Sequence, residues 1–195
     1  MIKRGPLVLG IVAGAGLYLY WQGGQLAAAL SGGALDNAVW DLTGVSMSNW
    51  QDDLNNPGRG GPYRDAIAAA EARYGLPSLL LARQLWQESR YRPDIIACKV
   101  GSSAGAQGIA QIITRWNPGV DPCDPMAAID YAASKMAGLY NRYGTWEHAL
   151  QAYNWGEGNL SNFLAGKTAT MPAETRHYSD EILADVSAAT GRVYA

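Results

Sequence analysis

Tyr74-Gly75-Leu76-Pro77-Ser78-Leu79-Leu80-Leu81-Ala82-Arg83-Gln84-Leu85-Trp86-Gln87-Glu88-Ser89-Arg90 joins two helical patterns through a glycine and a proline. Gly75 reads as the stop of an alanine-rich helix beginning near Arg64, and Pro77 as a first-turn residue of the next helix, which runs to about Arg90. On that helix Leu81 and Leu85 share a face with Glu88, and Gln84 lies directly beside it. A carboxyl group on a core-facing stripe is desolvated, which disfavours its charged form and raises its pKa. Near neutrality such a group donates protons, whereas a solvated Glu at about 4.3 is mostly ionised. The plainer account is a helix-end Glu that reaches water or pairs with Arg83, Arg90 or Arg92.

Working outward, the helical pattern persists. Asp124 and Pro125 form an N-cap and first-turn pair for a long helix through Met126, Ile129, Ala133, Met136 and Tyr140, stopped at Gly144. Thr145 caps another, with Trp146, Ala149, Leu150 and Tyr153 on one face. Pro172 sits in the first turn of a last helix reaching about Ala189. Period-2 alternation is nowhere sustained, so the domain reads as mainly α.

Upstream, Asn55-Asn56-Pro57-Gly58-Arg59-Gly60-Gly61 reads as a linker by its density of breakers. The predicted organisation is therefore a helical domain over 62–195 and a mixed segment over 36–61. Val39, Trp40, Leu42, Val45, Met47 and Trp50 give that segment an amphipathic stretch. An apolar segment over 1–35 precedes it. After Lys3 and Arg4 no charge occurs until Asp36. A helix from Gly5 to Leu30 would be about 39 Å long, enough to cross a hydrocarbon core of about 30 Å. Lys3 and Arg4 would stay on the cytoplasmic side, with Tyr18, Tyr20 and Trp21 near an interface. Gly10 and Gly14 permit close helix packing. The expectation is a retained membrane anchor or a helix buried in a larger assembly. A cleavable signal peptide ending near Ala27-Ala28-Ala29 is the alternative.

Composition excludes some classes. The 195 residues are 48% hydrophobic and 16% charged, which argues against wholesale disorder. The net charge is −2 and no basic run is interleaved with aromatics, so nucleic acid is not an expected partner. Seven Trp and eleven Tyr stand against one Phe, a bias towards side chains with a flat apolar face and a polar edge. Cys98 and Cys123 lie in loop-like sequence. In an oxidising compartment they would close a loop worth roughly 3–4 kcal/mol, with two separate thiols as the alternative. His148 and His177 lie far from either cysteine, so no metal site and no cofactor is expected.

Four motifs in order, Glu88-Ser89, Gly105-Ala106-Gln107-Gly108-Ile109-Ala110-Gln111, Ala152-Tyr153-Asn154 and Glu174-Thr175-Arg176-His177-Tyr178, resemble those of the soluble lytic transglycosylases. The resemblance spans roughly Tyr63 to Tyr178 and includes the Tyr74-Gly75-Leu76-Pro77 entry. It implies a goose-type-lysozyme-like helical fold and cleavage of peptidoglycan glycan strands. Glu88 would protonate the oxygen linking N-acetylmuramic acid to N-acetylglucosamine, then accept the proton of the sugar's own 6-hydroxyl as a 1,6-anhydro ring closes. The usual glycosidase needs two carboxylates. With the nucleophile supplied by the substrate, one suffices.

By the same resemblance Ser89 binds substrate or orients Glu88. Gly105 and Gly108 form a loop that a sugar chain approaches closely, and Gln111 serves an acetamido group or Glu88. Tyr153 sets the protonation of the acid through its hydroxyl, Asn154 steadies the cleft, and Tyr178 lines the groove. Ordinary turn, core and surface roles are the competing accounts. Glu174 and Arg176 read as structural charges. Trp116 and Trp155 are candidate stacking surfaces, with filler the equal alternative.

The chain departs from the family pattern at Ile109-Ala110, where Leu-Met is common, and at Trp155-Gly156, where Ala-Gly is frequent. Neither change touches the proton chemistry. The loop from Asp94 to Ser103 has no clear counterpart. Two other functions stay open: a hydrolysing goose-type lysozyme using Asp94, Asp121 or Asp124 to position water, and a non-catalytic wall-binding protein. A tethered wall-cutting domain this small suits a phage particle or a secretion or conjugation apparatus, with a housekeeping wall-remodelling enzyme as the alternative. It would act on the wall side of the membrane or within a virion.

Overall fold

The computed structural model describes residues 8–11, 17–20, 49–167 and 170–194. The chain divides into two compact units, Met1–Met47 and Ser48–Ala195. In the first, β1 (Val8–Ile11) pairs antiparallel with β2 (Leu17–Tyr20), Val8 opposite Tyr20. At residues 8–11 and 17–20, the described part of the expected Gly5–Leu30 helix, the chain is strand and not helix. Val8, Ile11, Tyr18 and Tyr20 favour strands, while Gly10, Gly14 and Gly16 each cost a helix about 1 kcal/mol. No helix among the described residues is long and apolar enough to cross a membrane. The expectations for Trp21 and for most of the amphipathic stretch fall outside the described residues.

The second unit is helical: α1 (Trp50–Asn55), α2 (Arg64–Tyr74), α3 (Leu80–Ser89), α4 (Pro93–Ile96), α5 (Pro125–Tyr143), α6 (Trp146–Trp155), α7 (Glu157–Leu164) and α8 (Ala173–Thr190). A two-residue hairpin, β3 (Ala106–Gln107) with β4 (Ile112–Ile113), interrupts the series. α8 packs on both α3 and α6, α6 on α5, and α5 on α2. Helix α3 runs through the middle. Leu80, Leu81 and Leu85 are fully enclosed, and Arg83 and Gln84 are buried with them.

Most stop and start signals act as read. Gly75 and Gly144 end α2 and α5 in the left-handed conformation, Asp124 accepts from the Met126 and Ala127 amides, and Thr145 accepts from the His148 amide. Pro77, however, does not sit in the first turn of α3. Leu79 is left-handed at φ 70°, and the helix begins at Leu80. The cause is Glu71, whose carboxylate accepts from the Leu79, Leu81 and Ala82 amides at 2.9, 2.9 and 3.2 Å. A buried side chain from the previous helix thus satisfies the amino end of α3.

The run 55–61 is a folded turn and not a linker. The amides of Gly60 and Gly61 donate to the Asp53 and Asn56 carbonyls, and Arg59 pairs with Asp53 at 2.6 Å. A Cβ on Gly60 would stand 2.7 Å from the Leu54 Cα and 2.9 Å from the Tyr91 ring. Trp50 and Leu54 of α1 are buried with the core, so the helical unit begins ahead of residue 62. Asparagine, proline and glycine make tight turns as readily as linkers.

Candidate active site

Glu88 sits at the last turn of α3, half-buried, on the face of Leu81 and Leu85. Burial pushes its carboxyl up from 4.5 to about 7, against a smaller lowering by the Tyr178 hydroxyl, which donates to Oε1 at 2.5 Å. Among the described residues no arginine pairs with it: Arg83 reaches Asp185 and Gln87, Arg92 reaches Asp94, and Arg90 stacks on the Trp86 ring. The helix-end Glu paired with arginine is thereby set aside.

The tyrosines exchange the parts expected of them. Tyr153, expected to touch the acid, donates its hydroxyl to the Ala110 carbonyl at 2.9 Å. Tyr178, expected only to line the groove, binds Glu88 and is 6% exposed. Both hydroxyls are pushed well above the usual tyrosine range, first by burial and then by the charge of Glu88. They stay protonated, Tyr178 as donor to the acid and Tyr153 as donor to the glycine loop.

That loop is held from several sides. Gly108 takes φ 71°, and a Cβ there would lie 1.8 Å from the Pro122 carbonyl oxygen. The close approach that requires glycine at 108 is thus to the chain's own backbone. Next to Pro122, Cys123 is bonded to Cys98 with a Cα–Cα distance of 5.6 Å. Gln111, at φ 48°, turns its amide back to the Gly108 carbonyl at 3.0 Å and forms no bond to Glu88 among the described residues.

Ser89 is 1% exposed. Its hydroxyl donates to the Leu85 carbonyl and accepts from the Tyr91 amide. It is closed off from substrate and supports the helix end carrying Glu88. Asn154 is exposed and accepts from the Thr175 hydroxyl at 3.0 Å, tying α6 to α8. Arg176 donates to the Met171 carbonyl, in keeping with a structural charge. Trp155 packs edge-on against Phe163, while Trp116 is 70% exposed with Arg115 over its ring. A groove of about 460 Å³ passes Gln107, Thr114, Val120 and Asp121 without including Glu88.

Two buried groups escaped the sequence reading. Tyr91, fully enclosed, donates to the Ala82 carbonyl at 2.6 Å, and Glu71 caps α3 as described. Glu71 falls on the buried face with Ile67, so the spacing argument that singled out Glu88 applied to it as well. Among the described residues no group of His, Cys, Asp and Glu is placed to hold a metal ion.

A helical domain whose central helix presents a half-buried carboxyl raised to about 7 holds the kind of acid that glycan cleavage calls for. The family model described as Transglycosylase SLT domain matches residues 65–174, more than half of the chain, and the chain belongs to that family of peptidoglycan-cleaving lytic transglycosylases. The matched region holds Glu88, Ser89, Gly108, Gln111, Tyr153 and Asn154. Tyr178, the residue that touches the acid, lies just beyond it. Comparison with curated proteins gave no significant match.

Proposed function

We propose that Glu88 cleaves the β-1,4 bond between N-acetylmuramic acid and N-acetylglucosamine without hydrolysis. The protonated carboxyl gives its proton to the linking oxygen as the C1–O bond breaks. The resulting carboxylate removes the proton of the muramic 6-hydroxyl, whose oxygen bonds to C1 and closes the 1,6-anhydro ring. Glu88 ends protonated, ready for another turn. The observation carrying this reading is that burial and one tyrosine hydroxyl alone move the Glu88 pKa to about 7, with no second carboxylate among the causes. A group balanced at neutrality serves as acid and then as base.

The hydrolysing alternative needs a partner carboxylate for water. Asp94 is half-buried and paired with Arg92, Asp121 accepts from the Cys123 amide, and Asp124 caps α5. Each is engaged with another group, and none is among the causes of the Glu88 shift. Gln111 Oε1 remains to accept from a substrate acetamido N–H, and Tyr153 steadies the loop that presents it.

The proposed setting is the wall side of the membrane, where a bond between Cys98 and Cys123 persists. Lys3 and Arg4 followed by a long uncharged stretch fit delivery there, as an anchor or as a leader. The job is local opening of the wall for a phage particle or a secretion or conjugation apparatus. Digestion of purified wall sacculi with mass analysis of released ends tests the chemistry. Anhydro-muramyl ends support it, and reducing muramic ends would transfer the assignment to a hydrolase. Binding with no soluble release would leave a wall-binding protein.

A further inference from the structure

Lys135 lies on α5 one turn after Tyr131, facing Tyr153 of α6. Its ammonium stands 5.9 Å from the Tyr131 ring centroid and 5.5 Å from that of Tyr153. The residue is half-buried, and among the described residues it makes no ion pair and no hydrogen bond. The two carboxylates whose charges reach these rings are committed elsewhere. Glu157, acting on Tyr131, is held by Arg142 at 2.6 Å, and Glu88, acting on Tyr153, is held by Tyr178. Both rings are fixed in turn, Tyr131 through its hydroxyl bond to Asn117 and Tyr153 through the Ala110 carbonyl. The lysine is thereby held by two aromatic faces, one of them the ring of Tyr153 whose hydroxyl feels the charge of Glu88, with three N–H donors and, among the described residues, no anion to receive them.

The N-acetylated sugars of peptidoglycan carry no charge. Near the scissile bond, the anions of an intact strand are the carboxylates of the peptide attached to the lactyl group of N-acetylmuramic acid. We propose that Lys135 binds one of those stem-peptide carboxylates, so that the enzyme prefers peptide-bearing, anionic strands. This rests on the reading of the chain as a peptidoglycan-cleaving enzyme and adds to it the part of the substrate recognised outside the glycan. Lys135 is not among the groups that shift Glu88, whose pKa is set by burial and by the Tyr178 hydroxyl. Burial therefore continues to dominate the acid while the cation anchors the peptide.

The test compares the full-length protein with Lys135→Gln and Lys135→Arg on two substrates. One is native sacculi. The other is the same sacculi with the peptide carboxylates converted to neutral methylamides, which keeps the peptides and removes their charge. On native sacculi Lys135→Gln should lower kcat/KM about tenfold, mostly through KM, as expected for loss of one charge-assisted contact. Lys135→Arg should retain most of the activity. On amidated sacculi the wild type should fall to the level of Lys135→Gln, and the variant should lose nothing further. Equal losses on both substrates, or none on either, would overturn the proposal. Co-sedimentation of Glu88→Gln and of Glu88→Gln/Lys135→Gln with native sacculi reads binding without turnover. The lysine-containing protein should bind more tightly, with a difference that shrinks at high salt. If the wild type cleaves neither substrate while this lysine-dependent binding persists, the enzymatic reading fails and the peptide contact stands.

Discussion

The Tyr178 hydroxyl, ninety residues along the chain from Glu88, donates to its Oε1 at 2.5 Å and is the one interaction found to lower the pKa of a carboxyl that burial raises. The acid therefore sits at about 7 as the resultant of two opposing effects. Neither tyrosine can ionise in this range, so the contact keeps one direction, from phenol to carboxylate.

Tyr178→Phe removes the lowering influence and leaves burial unopposed. Since the protonated form of Glu88 performs the first step, activity falls as pH rises through about 7. In the variant that alkaline limb should move up by about one pH unit, with turnover reduced about tenfold at the optimum. A pH profile of sacculus lysis checks this, and an unmoved limb would show that the two groups act independently.

Glu88→Gln should reduce wall lysis by at least about 10²–10⁴-fold without disrupting the fold. Its stability should also respond differently to pH. The folded-state pKa is raised, so this group's contribution is fully present below the unfolded value of 4.5 and is lost as pH climbs through about 7. The loss amounts to at most about 3 kcal/mol, trimmed by the partial exposure of the side chain. Thermal melts at pH 5 and pH 8 should differ less in Glu88→Gln than in the wild type.

Gln84 is fully buried beneath Glu88, and among the described residues neither its amide nitrogen nor its amide oxygen has a well-formed hydrogen bond. The amide faces the Tyr178 hydroxyl, whose ionised form it favours. Replacement by leucine removes a desolvated polar group of similar size and should stabilise the protein by about 1–2 kcal/mol. Turnover should drop, because the amide backs the tyrosine that positions the acid. A lowered melting temperature would count against this account.

Glu71→Ala withdraws the carboxylate that accepts three amides at the start of α3. Burial pushes this carboxyl up while those amides pull it down. With donors left unsatisfied inside the core, the expected cost is about 2–3 kcal/mol, measurable by urea denaturation. Because α3 carries Glu88, activity should decline together with stability.

Cys98→Ser opens a closure spanning 25 residues. On the chain-entropy estimate this destabilises the fold by about 3.5 kcal/mol. The same loss should appear when the wild type is treated with reductant, and reductant should leave the melting temperature of the variant unchanged.

Much of the helical architecture was legible locally. Gly75, Asp124, Gly144 and Thr145 act through their own backbone preferences or their nearest amides, so three or four residues suffice to read them. Helix α7 was missed because it starts directly after Gly156 and contains Gly158, a pattern that resembles a loop. The run 55–61 was misread for the complementary reason. Turn and linker share a composition, and the difference lies in the Tyr91 ring, which only the folded chain brings to it.

The periodicity of Leu81, Leu85 and Glu88 placed the acid on an apolar face, and the order of four motifs identified the family, because both depend on residues close together or in sequence order. Which hydroxyl meets the carboxyl, why Ser89 is closed to substrate, and which backbone forces glycine at 108 depended on α8, α6 and the Pro122 segment returning from far along the chain. A hydrogen bond is decided within a few tenths of an ångström, and such distances between remote segments are set by packing, not by local pattern.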